Sequence, residues 1–186
     1  MAEDDPYEAR AVERVKGGDA AAYEYLVALH LKQVVSIAWG VVRNAQDAED
    51  LAQEAFVRGF ANIGRFESGQ PFGPWIYRIV TNLALDVARR RKRFPDEELS
   101  PEAPAARRDG AELRAESNEI ANRIDRAIES LPEMQRLVAR LHLIEELDHA
   151  TIATVTGLAD GTVRSHLSLA RKKLKEQLAD LYGDDE

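Results

Sequence analysis

Apolar residues in this chain recur at three- and four-residue spacing, and nowhere do they alternate with polar ones over the length of a strand. A half-buried strand needs a period of two, so this pattern leaves an all-α fold as the expectation. Gly17-Gly18-Asp19 ends a first helix of about Tyr7 to Lys16, and Asp19 is placed to cap the next. In that second helix Tyr23, Leu26, Val27, His30, Val34, Ile37 and Val41 fall on one face, and Arg43-Asn44 closes it.

The stretch from Asp47 to Arg93 organises the first part of the chain. Asp47, Glu49 and Asp50 crowd a helix start, where the helix dipole favours acids. Leu51, Ala55, Phe56, Phe60 and Ile63 form the apolar stripe of that helix, with Asp50, Gln53, Glu54 and Arg58 largely off it. Residues Gly64 to Pro74 read as a loop from their Gly and Pro content, with Phe66, Gln70 and Phe72 in or beside it. Trp75 to about Arg93 reads as a helix that buries Ile76, Ile79, Val80, Leu83 and Val87. Another of its faces carries Arg78, Asn82, Leu85 and Arg89, and a basic run including Arg90 follows. An Arg-Asn-Arg face beside an aromatic loop suits single-stranded nucleic acid, where rings stack on bases and cations track the backbone. The alternative is that Phe72 and Trp75 belong to the core.

Residues 95–112 hold three of the seven prolines and no apolar period, and read as a flexible linker. Two small helical domains are therefore expected, 1–94 and 113–186. In the second, Ile120, Ile124, Ala127, Ile128 and Leu131 mark a helix stopped by Pro132, and Leu137, Val138, Leu141 and Ile144 mark the next. A short helix of about His149 to Thr156, a turn at Gly157 to Asp160 and a long helix from Gly161 make a helix-turn-helix. Val163, Leu167, Ala170, Leu174, Leu178 and Leu181 would face inward. Thr162, Arg164, Ser165, His166, Ser168, Arg171 and Lys172 are the candidates to meet DNA, and Leu169, also outward, could touch a thymine methyl or a regulatory partner.

The net charge of −8 argues at first against a nucleic-acid partner, but its distribution does not. Pro71 to Arg93 carries six basic residues against one acid, and Asp160 to Lys175 carries five against one. Local basic stripes, rather than overall charge, make a phosphate footprint. With so acidic a remainder, the chain is expected to bind DNA only with help from a partner. Without cysteine, disulfides, thiolate metal sites and thiol catalysis are excluded. The four histidines, His30, His142, His149 and His166, show no metal spacing, and no phosphate loop or nucleophile motif appears. No catalytic residue, metal or cofactor is expected. Neither a signal peptide nor an apolar run of membrane-spanning length is read, so the expected location is cytoplasmic, without direct membrane insertion.

At two stretches the sequence resembles the extracytoplasmic-function (ECF) sigma factors of bacterial RNA polymerase. DAEDLAQEAFVRGF with PWIYRIVTNLALDVARRRKR is similar to the family's domain 2, and LPEMQRLVARLHLIEELDHATIATVTGLADGTVRSHLSLARKKL to its domain 4. The resemblance implies that Asp47, Asp50, Gln53, Glu54, Phe56 and Arg58 dock on the clamp helices of the largest polymerase subunit, and that the flap is also contacted. It implies that Phe66, Gln70, Phe72, Arg78, Asn82, Arg89 and Arg90 bind the −10 promoter element, where a base is flipped from the non-template strand. The helix carrying Thr162 to Lys172 would then read the −35 element. An anti-sigma factor, often membrane-bound, is a further implied partner and could hold the chain at the membrane. The competing reading is a stand-alone helix-turn-helix regulator, which would bind duplex DNA without polymerase and leaves Asp47 to Arg93 without a purpose.

Overall fold

The computed structural model describes residues 6–94 and 113–179. Among them are eight α-helices and no strand, as the apolar period requires. The chain divides into two compact units, Met1–Pro104 with Ala153–Gly157, and Ala105–Ile152 with Leu158–Glu186. The linker expected over 95–112 lies outside the described residues.

In the first unit, α1 (Pro6–Lys16) opens on a proline whose fixed φ suits a first helical position. It buries Ala11, Val12 and Val15 against α2 (Ala22–Val42). Asp19 takes a 2.6 Å ion pair from Arg14, and that partner, with the amides of Ala22 and Ala21, holds its carboxyl below the usual range. The 21 residues of α2 are long and apolar enough to cross a membrane, contrary to expectation, but their buried face is the packing face of a core helix. Leu26, Val34 and Ala38 are fully enclosed there, beside α3 and α4. The helix ends at Arg43 in the left-handed region (φ 56°), with its guanidinium 3.7 Å from the centre of the Trp39 ring.

Asn44 caps α3 (Ala45–Asn62), its Oδ1 accepting the Asp47 amide at 3.0 Å. The buried stripe of α3 only partly matches the one the sequence suggested, since Ala55, Phe56 and, just past the helix, Ile63 are buried as expected and Leu51 and Phe60 are not. It is Ala48, Ala52, Ala55, Phe56 and Gly59, while Leu51 is half-buried and Phe60 exposed. Small residues let α2 and α4 approach closely. A Cβ on Gly59 would stand 2.7 Å from the Tyr23 hydroxyl and 2.9 Å from Ile76 Cδ1. That hydroxyl donates to the Phe56 carbonyl at 2.7 Å, and burial pushes its ionisation upward. Gly59→Val is therefore expected to lower stability by about 1–3 kcal/mol, the usual cost of overpacking; a urea melt reads it, and an unchanged midpoint would refute the close packing.

A 3₁₀ turn (Ile63–Arg65) leads into a loop, and α4 (Phe72–Arg93) starts three residues before the expected Trp75. The reason lies 64 positions earlier. Glu8 Oε1 accepts the amides of Phe72 (2.7 Å) and Gly73 (3.2 Å), so a side chain of α1 caps α4. Burial raises the Glu8 carboxyl, but His30 and these two amides outweigh it, and the group lies below its ordinary 4.5. Leu85, expected on the outward face of α4, is buried instead.

The second unit holds α5 (Leu113–Glu129), α6 (Glu133–Leu143), α8 (Asp160–Gln177) and the first half of α7 (His149–Thr156), whose residues from Ala153 group with the first unit. Pro132 stands at the N-cap of α6 in extended conformation, breaking α5 and opening α6. Ala127, Ile128, Leu131, Ala139, Ala170, Leu174 and Leu178 close a core among α5, α6 and α8. Ile120, Ile124 and Ile144, expected inside, are exposed; Leu181 lies outside the described residues. Arg140 is buried in their stead, 2.8 Å from Asp125 and 3.6 Å from Glu129, pinning α6 to α5.

Candidate nucleic-acid interface

On α4, Trp75, Ile79, Asn82, Leu83 and Asp86 share one face, and with Arg58 and Asn62 of α3 and Arg65 they line a recess of about 370 Å³. That is within the size of sites that hold small planar groups, about 300–1,000 Å³. Its wall mixes apolar and hydrogen-bonding groups, with five residues (Arg58, Asn62, Arg65, Asn82 and Asp86) exposed at its edge. Arg78, Asn82, Arg89 and Arg90 are all exposed, as is Gln70 in the loop, where Gly69 supplies the positive φ of 85°. Arg89 pairs with Asp86 at 3.1 Å, but both side chains are solvated and the pair holds little energy. Arg89, Arg90 and Arg93 surround a second open recess beside Phe94.

Phe66 and Phe72 are not available for base stacking. They are 5% and 0% exposed, and their rings pack on each other at 5.9 Å and on Trp75 at 5.1 and 5.5 Å. Apolar rings in a short Gly- and Pro-containing loop gain more from the core beneath them than from water. Trp75 is the ring left half-exposed at the recess. Its spacing to Ile79, Asn82, Leu83 and Asp86 was present in the sequence as i, i+4, i+7, i+8, i+11, and marks the recess face. Arg91, within the basic run, turns inward, donating to the Val42 carbonyl at 3.2 Å and pairing with Asp47.

On α3, Asp50, Gln53, Glu54 and Arg58 are exposed, and the Glu54–Arg58 pair forms at 2.6 Å. Two candidates of this face are corrected. Phe56 is a core residue, 6% exposed, edge-on to Tyr23, and Asp47 is half-buried against Arg91. The large apolar residues exposed on α3 are Val57 (63%) and Phe60 (45%).

In the second unit Asp148 Oδ1 accepts the Thr151 amide at 2.7 Å and so starts α7; that bond, and then the Thr151 hydroxyl, hold the carboxyl below its usual range. Gly157 takes a positive φ of 73° in the turn that leads to α8. Along α8, Val163, Leu167, Ala170 and Leu174 are buried, and Thr162, Arg164, Ser165, Ser168, Leu169, Arg171 and Lys172 are exposed. His166 is half-buried between the two faces. Arg164 pairs with Asp160 across one turn. Arg171 Nη2 lies 3.2 Å from His142 Nε2, and His142 Nδ1 lies 3.0 Å from the Leu147 carbonyl. The histidines are less scattered than their spacing implied, since the His142 and His149 rings are 5.4 Å apart. Among the described residues, no group of three or more His, Asp or Glu is gathered as a metal site.

Two helical units, a helix-turn-helix with a polar, basic outer face and a recess flanked by arginines define a nucleic-acid-binding protein of all-α class. Residues 26–94 match Sigma-70 region 2, and residues 121–174 match Sigma-70, region 4. The chain is similar to the ECF RNA polymerase sigma factor SigW of Bacillus subtilis, 33% identical over 92% of this chain and 97% of that one. It is similar to the RNA polymerase sigma-H factor of Pseudomonas aeruginosa, 34% identical over 93% and 94% of the two chains. The chain belongs to the ECF sigma factors, group 4 of the sigma-70 family, and is a transcription initiation factor. Among solved structures it shares its fold with CnrH, in complex with the cytosolic domain of CnrY (TM-score 0.70, 24% identity, 94% of this chain and 98% of that one). It shares it also with the sigma factor RpoE of Bartonella quintana, in complex with the anti-sigma factor NepR (TM-score 0.67, 22% identity, 88% and 98%).

Proposed function

We propose that this sigma factor divides its work between its two units. In the first, residues 1–94, the exposed α3 face of Asp50, Gln53, Glu54 and Arg58 docks on the clamp helices of the largest polymerase subunit. The recess beside Trp75 and Asn82 takes a base flipped from the −10 element, and Arg78, Arg89 and Arg90 follow the phosphates. The carrying observation is that recess: apolar at Trp75, Ile79 and Leu83, hydrogen-bonding at Asn62 and Asn82, and bordered by Arg58 and Arg65 beside one acid, Asp86. Flipping costs a few kcal/mol of unstacking, which such a pocket offsets. In the second unit, residues 113–186, α8 enters the major groove of the −35 element, and the unit also meets the polymerase flap.

The chain acts without chemistry of its own; catalysis belongs to the polymerase. It works in the cytoplasm. An anti-sigma factor holds it inactive by covering the units, a reading supported by the related fold of RpoE bound to NepR. The α8 assignment is tested by Arg164→Ala and Arg171→Ala in a holoenzyme. A base contact is expected to cost about 1–3 kcal/mol and relax specificity at one position, whereas a phosphate contact lowers the salt slope by about one. Neither change in promoter binding would refute the placement of α8.

A further inference from the structure

We infer that Glu8 is a positioning residue for recognition of the −10 element, with α1 acting as a brace for the loop and for the first turn of α4. The inference rests on the proposed role of the Trp75–Asn82 recess and deepens it.

Glu8 is far in sequence from every candidate DNA contact of the first unit, and it precedes the Sigma-70 region 2 match, which begins at residue 26. Its carboxylate nevertheless holds the two amides that open α4, Phe72 and Gly73. A helix start has no intrahelical partners for its first amides, so whatever satisfies them decides where the helix begins. Pro71, at the N-cap position, makes no side-chain bond to them. Glu8 is itself held from behind. Its Oε1 is 3.4 Å from His30 Nε2, His30 Nδ1 is 2.9 Å from the Tyr77 hydroxyl, and that hydroxyl donates to Gln33. This chain of polar side chains runs through the first unit and returns to α4 one turn after the cap.

A second tether acts on the other side of the loop, where Lys16 Nζ donates to Ser68 Oγ at 2.7 Å. The two ends of α1 thus hold the segment from Ser68 to Gly73, which presents Gln70, at its two ends. The consequence reaches the recess. Trp75 is three residues beyond Phe72, and its ring rests on Phe66 and Phe72, so the start of α4 sets where that wall stands. Without the acceptor, the first turn of α4 would fray and Trp75 would lose its fixed position. Outer-shell partners of metal ligands change affinity or activity by about 10–100-fold without touching the bound group, and an effect at the lower end is expected of this brace.

The test uses the full chain with core polymerase on a promoter mapped by its own transcription start, with each −10 base substituted in turn. Three quantities are read: core affinity, duplex opening, and the ratio of opening between the original and substituted −10 sequences. Glu8→Met, which removes the acceptor, is expected to leave core affinity unchanged, lower opening about 10-fold and flatten the −10 ratios. Glu8→Gln, which keeps an acceptor oxygen, is expected to restore most of both. If Glu8→Met does not fold, Lys16→Met and Ser68→Ala, both at exposed groups, carry the test and are expected to flatten the same ratios to a smaller degree. Unchanged −10 ratios with opening lost only in proportion to unfolded protein would overturn the inference, leaving Glu8 a stability residue. Asn82→Ala is measured in parallel. If it impairs opening while the brace variants do not, only the role of Glu8 fails; if it has no effect either, the reading of the recess fails.

Discussion

Phe72→Ala is expected to remove about 3–5 kcal/mol from the stability of the first unit, the usual cost of deleting a buried phenyl ring. The ring is wholly enclosed and meets Tyr23, His30, Phe66 and Trp75 at centroid distances of 5.5 to 6.2 Å. Aromatic pairs in such geometry add about 0.5–1.5 kcal/mol beyond their buried area. Domains of this kind hold about 5–15 kcal/mol in total, so the loss is a large share. Both tryptophans, Trp39 and Trp75, belong to the first unit, so a fluorescence-detected urea melt of the full chain reports on it selectively. The prediction separates two roles for one residue. A core Phe72 loses stability on truncation, whereas a Phe72 that stacks on a base would leave the melt unchanged and weaken opening.

Asn82→Ala is expected to do the reverse. Its side chain is exposed at the recess, so folding should change by no more than about 0.5 kcal/mol. Losing one base-directed amide is worth about 1–3 kcal/mol, or roughly 5- to 150-fold in opening. Core binding is expected to be untouched, because the proposed docking residues stand on α3 and only Arg58 among them also lines the recess. Loss of core binding in this variant would contradict the division of labour within the first unit.

The fold was largely legible in the sequence because helices, unlike sheets, declare themselves by local period. Gly17-Gly18, Asn44, Pro132 and Gly157 mark helix ends by backbone restrictions that no tertiary contact needs to supply. The α7 boundaries, His149 to Thr156, coincide with those observed for this reason. Errors fell where a distant residue decided the outcome. The start of α4 was misplaced because its cap, Glu8, lies on another helix. Of the small-residue seam of α3 only Ala55 is expected from the apolar period, which rewards large side chains, while close helix approach also selects Ala48, Ala52 and Gly59.

The candidate site was legible at exposed polar positions and less so at aromatic ones. Arg78, Asn82, Arg89, Arg164 and Arg171 are all exposed as the helical wheel requires. Phe56, Phe66 and Phe72 went to the core, since a ring's chemistry is the same whether it packs on a neighbour or on a base. Asp47 and Arg91 show the same limit for charges. Each belongs to a run that reads as solvated, yet the two meet across 44 residues and tie the start of α3 to the end of α4.

The most direct measurement is transcription in vitro with purified chain and core RNA polymerase on fragmented genomic DNA, with the 5′ ends sequenced. Discrete start sites that vanish when the chain is omitted, with a shared sequence at the −10 and −35 spacing upstream, are the predicted result. Duplex binding by the chain alone, with no polymerase-dependent start, would contradict it.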